Sequence, residues 1–162
     1  MIVGYKCFKK GMVNHYGEHF EIGKTYSVLG PIKFGTNGNG YHMCTNMEDT
    51  LRYFHFDEDI DMCKVIGDGK FAEFNDEYYG YYFMYAVERL HIEKKLSREE
   101  IVAMALKMYP ESAIRFIQGI KLTPLEIELF KNQFANDIRV LNAIEYYQER
   151  DKDIYERTLC LK

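Results

Sequence analysis

The sequence predicts an α+β protein, in which a small, mostly antiparallel N-terminal sheet with one helix precedes a C-terminal array of three or four helices. Of the 12 glycines, 11 lie before residue 96, where they separate short aromatic and β-branched runs. Two capping boxes, which begin at Ser97 and Thr123, mark helix starts after that point. We therefore expect a β-rich domain at residues 1–96 and a helical region at residues 97–162 packed on it.

Short strands are expected throughout the β-rich part, each a run of β-branched or aromatic residues between turn formers. The longest, residues 81–92, is apolar on both faces through Val87 and is expected to be central, with a helix as the alternative. The other strands are expected at residues 2–8, 25–29, 33–36, 41–44, 62–66 and 71–74.

Helices are expected mainly after residue 96. After Ser97, apolar residues recur at helical spacing until Pro110, which ends that helix. A second short helix at residues 112–118 closes at Gly119. A further helix is expected inside the β-rich part, where Thr45 or Asn46 caps it and it runs to Phe54. One or two more are expected from Thr123 to Gln148, with a break at Asn136 and Asp137.

Composition limits the function classes. The chain of 162 residues has 21 basic and 25 acidic side chains, and its net charge is −4. Through residue 90 there are 9 basic and 13 acidic residues, so all of the net negative charge lies in this part. Nucleic-acid binding normally requires a basic face, so we expect no nucleic-acid partner. No apolar run approaches the roughly 18 residues that span a bilayer, so we expect a cytoplasmic protein without membrane contact.

Several motifs of metal and catalytic sites are incomplete. The H-x-x-E-H pattern at residues 15–19 lies among turn formers, where no helix would align the two histidines. The acidic run at residues 57–61 is followed by Met62 where a calcium loop requires glycine. The cysteines are scattered singly, as is typical of reduced, buried thiols. We therefore expect no metal, no cofactor and no catalytic residue.

The remaining features favour a protein partner. Acidic side chains are available to a basic partner, and tyrosine is enriched at protein interfaces. The leading hypothesis is a non-enzymatic protein-interaction module. The residues expected to contact the partner are Asp57, Glu58, Asp59, Asp61, Tyr78 and Tyr79.

Short motifs carry a resemblance to a known family. They are Y-K-C-F at residues 5–8, G-K-T-Y at residues 23–26, G-Y-H-M-C at residues 40–44 and L-S-R-E-E at residues 96–100. Over about residues 3–105 the chain resembles an uncharacterised domain family of bacterial and phage proteins. That family has no assigned activity. The resemblance implies a protein encoded by a phage or mobile element, and we expect it to modulate or inhibit a host system.

The order of elements also resembles, more distantly, the core of the ADP-ribosyltransferases, which use NAD. This resemblance implies an alternative function as an NAD-dependent enzyme. Its first-strand position would fall at Tyr5 or Lys6, and its late glutamate would be Glu73 or Glu88. The catalytic candidates of this alternative are Tyr5, His42, Tyr53 and Glu88, and its NAD-binding candidates are Tyr41 and Tyr53.

Overall fold

A computed structural model of the chain describes residues 1–35, 37–54, 59–74 and 84–149, with Tyr53 described by its backbone alone. It confirms the predicted α+β class, because an N-terminal antiparallel sheet of five strands precedes four helices. The described chain forms two compact units. One is rich in strands and comprises the described residues up to Tyr53 and from Asp59 to Leu96. The other is helical and comprises Phe54 and the described residues from Ser97 onward.

The strand-rich unit also contains a short 3₁₀ helix, Glu48–Tyr53, at the place where the sequence predicts a helix. The side chains of Leu51 in this helix and of Met47 just before it are buried. The strands are β1 (Ile2–Lys9), β2 (Thr25–Ser27), β3 (Tyr41–Cys44), β4 (Ile60–Phe74) and β5 (Met84–Lys95).

Four predicted strands differ from those observed or are described only in part. The strands expected at residues 62–66 and 71–74 are one strand, β4, and a bulge between Asp68 and Phe71 replaces the expected turn. In the described part of the strand expected at residues 33–36, Lys33 forms an isolated bridge with Asn39. Of the strand expected at residues 81–92, the part from Met84 onward is described and belongs to β5.

The sheet closes on itself. Its order is β2-β5-β3-β1-β4, and β4 also pairs with β5. The strands β1, β3, β4 and β5 therefore form a ring in which each has a neighbour on both sides. The β1–β3 ladder is the shortest part of this ring, with the single register pair Tyr5 and Cys44. The result is a small antiparallel barrel with a short seam between β1 and β3.

Large apolar side chains fill the barrel, and two glycines make room for them. A Cβ atom on Gly4 would lie 2.2 Å from the carbonyl oxygen of Cys44, and one on Gly67 would lie 2.6 Å from the sulfur of Met43. Strands β1 and β3 can therefore approach each other only because Gly4 lacks a side chain. The buried interior cluster consists of Phe8, Phe20, Met43, Cys63, Val65, Val87, Leu90 and Ile92.

The turn that follows β1 is held by Asp61. This side chain is buried, and its Oδ2 accepts hydrogen bonds from the N–H groups of Gly11 at 2.8 Å and Met12 at 3.0 Å. Its other oxygen pairs with Lys95 at the end of β5. Burial alone would raise the pKa of Asp61, but Lys95 and the two N–H donors outweigh burial and lower it. Asp61 therefore ties β1, β4 and β5 together as a charged group.

The helical unit contains both predicted capping boxes, at Ser97 with Glu100 and at Thr123 with Glu126. The second helix, predicted at residues 112–118, is present and begins earlier, at Pro110, because the first helical position needs no N–H donor. No helix among the described residues is long and apolar enough to cross a membrane. The helices are α1 (Arg98–Ala105), α2 (Pro110–Gly119), α3 (Pro124–Gln133) and α4 (Ile138–Ile144), followed by the π-helical turn Glu145–Glu149.

The predicted break in the last helix is present at Asp137, which caps α4. The unit is closed by Gln148, which is buried. Its amide donates to the carbonyls of Ile117 at 2.6 Å and Ile120 at 2.9 Å, and its oxygen accepts from the N–H of Leu122 at 2.9 Å. One side chain thus satisfies three backbone groups where α2 ends.

Candidate functional site

Among the described strands, β2 alone has a neighbour on one side only along its whole length, whereas β4 pairs with both β1 and β5 before residue 68 and with β5 alone after it. Strand β2 pairs with β5 through Thr25 with His91, Tyr26 with Leu90 and Ser27 with Arg89. No described strand lies against its other edge. An unpaired edge presents free N–H and carbonyl groups, and so offers a template on which another chain can add a strand.

The hydrogen bonds to β5 show which backbone groups this edge presents. The carbonyl of Lys24 accepts a hydrogen bond from β5 at 3.0 Å, and the N–H of Val28 donates one to β5 at 3.0 Å. Backbone groups alternate along an antiparallel strand, so those of Tyr26 also face β5. The N–H groups and carbonyls of Thr25 and Ser27 therefore face away from the sheet. Both residues are exposed.

Leu29 follows this edge and is 95% exposed. Its place is fixed, because the side-chain amide of Asn39 donates to the carbonyl of Leu29 at 2.8 Å and to that of Pro31 at 3.1 Å. The exposed leucine therefore lies in a turn that two side-chain hydrogen bonds hold in place. We define the β2 edge as the outward backbone groups of Thr25 and Ser27 together with the Leu29 side chain.

The described residues of the enzyme alternative lie on both faces of the sheet. Tyr41 and His42 are neighbours on β3, so their side chains lie on opposite faces of the sheet. Tyr41 packs against the interior cluster. The ring of His42 stacks on Phe34, with 4.4 Å between centroids. Tyr5 shares the outer face with His42, because Tyr5 pairs with Cys44.

The two candidate glutamates hold other parts of the sheet. The Oε2 atom of Glu88 accepts a hydrogen bond from the N–H of Lys70 at 2.9 Å, inside the bulge of β4. The carboxylate of Glu73 accepts one from the hydroxyl of Tyr85 at 3.4 Å. The side chain of Tyr53 lies outside the described part of the chain. The catalytic and NAD-binding assignments stay predictions.

The expected partner-contacting residues are described only in part. Asp59 is exposed and its carboxylate pairs with Lys10 at 2.9 Å, so its charge is already matched. Asp61 is buried in the turn after β1 and presents little surface to a partner. Their role as partner contacts stays a prediction. Asp57, Glu58, Tyr78 and Tyr79 lie outside the described residues.

The described cysteines are inert thiols. Cys7, Cys44 and Cys63 are free and buried, and Cys160 lies outside the described residues. Burial raises the pKa of Cys44 and of Cys63 to about 12 and raises that of Cys7 as well. These thiols stay protonated at neutral pH, so they are poor nucleophiles and poor metal ligands. Within the described ranges, no group of three or more His, Cys, Asp or Glu side chains could hold a metal ion.

The sequence analysis missed the β2 edge, although it expected a strand at residues 25–29. Strand pairing order decides which strand is an edge, and pairing order cannot be read from a local pattern. The available signal was Leu29 itself, an apolar residue placed directly before the turn formers Gly30 and Pro31.

Comparison with known families supports one prediction. The sequence model of a domain of unknown function, DUF7666, matches residues 2–104. The chain belongs to this family. The match confirms an uncharacterised domain family, and it includes β1 to β5 and nearly all of α1. No curated protein and no solved structure matches the chain.

Proposed function

We propose that this DUF7666 protein is a non-enzymatic protein-interaction module that binds an extended segment of its partner along the β2 edge. The observation that carries the proposal is the closure of the sheet. Strands β1, β3, β4 and β5 have neighbours on both sides over at least part of their length, whereas β2 has one neighbour along its whole length. Adding a strand to an exposed sheet edge is a recurring mode of peptide recognition.

The backbone of Thr25 and Ser27 supplies the hydrogen bonds of this mode. Each residue has an outward N–H and an outward carbonyl, so a partner strand can form hydrogen-bonded pairs with both. Water satisfies these groups when no partner is bound, so each hydrogen bond adds only about 0.5–1.5 kcal/mol. Backbone pairing therefore sets the register and direction of the partner more than its affinity.

Leu29 supplies apolar contact at the end of the β2 edge. Burying a whole leucine side chain contributes about 1.5–3 kcal/mol, which is more than one of these hydrogen bonds. The Asn39 amide fixes the turn, so little ordering of this loop is needed on binding. The partner segment should therefore carry an apolar residue opposite Leu29.

The partner's charge and the biological setting follow from the sequence. The part through residue 90 has 9 basic and 13 acidic side chains, which suits a partner segment with basic residues. A phage- or mobile-element-encoded protein that modulates a host protein fits such a module. This setting rests on the resemblance alone.

A backbone-directed variant tests the β2 edge. Random short peptides are selected on the immobilised protein, and affinities are then measured for Ser27→Pro and for its matched control Ser27→Ala. Ser27→Pro removes an outward N–H, whereas Ser27→Ala keeps it. Because the Ser27 N–H does not bond β5, proline is compatible with this edge position. We expect about tenfold weaker binding for Ser27→Pro and unchanged binding for Ser27→Ala. Equal affinities of the two variants would refute the proposal.

The enzyme alternative has a separate test. Thermal unfolding is measured with and without NAD. A ligand at 100 times its Kd adds about 2.7 kcal/mol of stability. A clear shift that Tyr53→Ala abolishes would favour the NAD-dependent transferase over an interaction-only protein. We expect no shift, because Tyr41 and His42 face opposite sides of the sheet.

A further inference from the structure

The β2 edge is complementary to a second copy of itself. Thr25 and Ser27 each have an outward N–H and an outward carbonyl, whereas the backbone groups of Tyr26 face β5. A two-fold axis beside Tyr26, perpendicular to the sheet, would place Thr25 of one copy opposite Ser27 of the other. Both pairs that this axis creates are hydrogen-bonded pairs, in which each N–H donates to the opposite carbonyl. Every outward backbone group of these two residues then has a partner in the second copy.

The register centred on Tyr26 is favoured over its two neighbours. An axis at Ser27 would pair Thr25 with Leu29, whose carbonyl already accepts a hydrogen bond from a side-chain amide at 2.8 Å. An axis at Thr25 would pair Ser27 with Gly23, which has a φ of 81° and whose N–H already donates to β5. Of the three registers, only the one centred on Tyr26 uses backbone groups that are not engaged within the described part of the chain.

Strand β2 lacks the features that keep sheet edges apart. Edge strands of native sheets are commonly protected by a charged residue, a proline or a bulge. Residues 25–29 have the sequence T-Y-S-V-L, which contains no charge and no proline, and residues 25–27 pair with β5 without a register shift. Two identical edges can therefore meet without repulsion.

Charges beside the strand also suit a second copy. Val28 lies opposite Glu88, because its N–H donates to the carbonyl of Glu88 at 3.0 Å. In this register, Lys24 of the second copy would lie on the other side of Val28, in the same row of the sheet as Glu88. Lys24 is exposed, and so is its ion pair with Glu21, which a second carboxylate can share. Each end of the paired segment therefore brings opposite charges toward each other.

The exposed apolar side chains lie at the two ends of this register. Leu29 would lie opposite Gly23 of the second copy, where an added Cβ atom would have no neighbour within 4 Å, so there is room for the leucine. Ile22, the residue before that glycine, is exposed as well. Apolar surface of the second copy can therefore cover Leu29, and the symmetry repeats this contact at the other end.

We propose that the β2 edge pairs with the β2 edge of a second copy of this chain, in the two-fold register centred on Tyr26. The inference rests on the proposed function, because it assigns a competing occupant to the edge that binds the partner segment. Paired strands of three residues cover far less than the roughly 1,200 Å² of a standard protein interface. The dimer is therefore weak, forms at high protein concentration and masks the edge until a partner segment displaces it.

Sedimentation equilibrium tests the dimer. The wild type is measured from about 1 μM to about 1 mM, and we expect monomers at the low end and dimers at the high end. Ser27→Pro removes an outward N–H from each copy and should weaken dimerisation about tenfold, whereas Ser27→Ala should leave it unchanged. A wild type that is monomeric at about 1 mM, or equal dissociation constants for the two variants, would overturn the proposal.

Charge variants test the register. Lys24→Glu alone and Glu88→Lys alone each bring like charges into one row, so each should self-associate more weakly than the wild type. An equimolar mixture of the two should associate more strongly than either alone, because every row then contains opposite charges. Glu88→Gln keeps an acceptor for the N–H of Lys70 and replaces Glu88→Lys if the lysine disturbs the bulge, and its mixture with Lys24→Glu should still exceed both components. A mixture that associates no more strongly than its components would overturn the proposed register.

Peptide competition separates this inference from the proposed function. A peptide selected on the β2 edge should dissociate the dimer, and its apparent affinity should fall as the protein concentration rises. Peptide binding that Ser27→Pro weakens, by a protein that stays monomeric at about 1 mM, would overturn the dimer and leave the proposed function intact. A dimer that Ser27→Pro weakens, in a protein that selects no peptide, would support the dimer and count against the proposed function.

Discussion

The seam between β1 and β3 and the outer edge of β2 are two short stretches of the same sheet with opposite roles. The seam has one register pair, yet it is reinforced by the close approach at Gly4 and by the Lys6 side chain. The β2 edge is three residues long and has no described strand beside it. The paired stretch is short at both places, so its length does not decide which of the two edges stays open.

The surroundings make the difference. At the seam, β1 and β3 contribute Phe8 and Met43 to the interior cluster, and opening the seam would expose these apolar side chains to water. At β2, the outward residues Thr25 and Ser27 are small and polar, and exposing them costs little. The seam is therefore expected to contribute to the stability of the barrel, whereas the β2 edge stays unpaired at little cost in stability. The following predictions test this division.

Gly4→Ala should have the largest effect, because it breaks the seam. The new Cβ would lie 2.2 Å from the Cys44 carbonyl oxygen, which is backbone and cannot move alone. We expect a loss of about 3 kcal/mol in the free energy of unfolding, measured by urea denaturation. Gly23→Ala is the control, because it has a positive φ of 81° but no atom within 4 Å. It should cost only about 1 kcal/mol. Equal losses would mean that the seam is not crowded.

Asp61→Asn should have the next largest effect, since it removes the charge that ties the turn after β1 to Lys95. We expect a loss of about 2 kcal/mol at neutral pH. The pKa of Asp61 is lowered in the folded state, so its contribution is present above the unfolded value of about 3.9 and disappears as the pH falls through the folded value. In urea denaturation from neutral pH to about pH 2, the free energies of unfolding of the wild type and the variant should therefore become equal. A constant difference at all pH values would contradict this role.

Lys6→Arg should change the alkaline dependence of stability. The folded pKa of Lys6 is about 8 and the unfolded value is 10.5, so the unfolded state holds more protons between them. The wild type should therefore gain stability relative to Lys6→Arg as the pH rises from about 8 to 10.5. The difference between the two proteins removes the effect of the cysteines, which titrate in both. A flat difference would show that Lys6 is not desolvated.

Ser27→Pro should have the smallest effect on stability, although it weakens binding at the β2 edge. The lost N–H faces away from β5, so no ladder hydrogen bond disappears. We expect the free energy of unfolding to change by less than about 0.5 kcal/mol, measured by thermal and urea denaturation. A large loss would show that the outward groups of Ser27 have a partner within the fold.

The sequence predicted local structure well where one side chain determines it. Both capping boxes and the break at Asp137 are present, because each depends on a hydrogen bond between residues at most three positions apart. The join of two predicted strands into β4 was missed. The sequence analysis ended one strand at residue 66 and began the next at residue 71. Between them, Gly67 makes room for Met43 and Val87, and Gly69 lies in the bulge opposite Glu88.

The candidate site was less predictable for a related reason. The open edge at β2 depends on which strands close the ring. That closure pairs Tyr5 with Cys44 and Ile2 with Gly67, residues that are far apart in the chain. Local periodicity carries no information about such pairs.

The long-range pairing of β1 also affects the order of events during synthesis. The first strand leaves the ribosome early, but its main partner is β4 and the ring is complete only when β5 follows. Until then the apolar face of β1 has nothing to pack against, and contacts of such high sequence separation form slowly. The strand-rich unit should thus depend on chaperones while it is nascent, whereas the helices after Ser97 use near neighbours and can fold quickly.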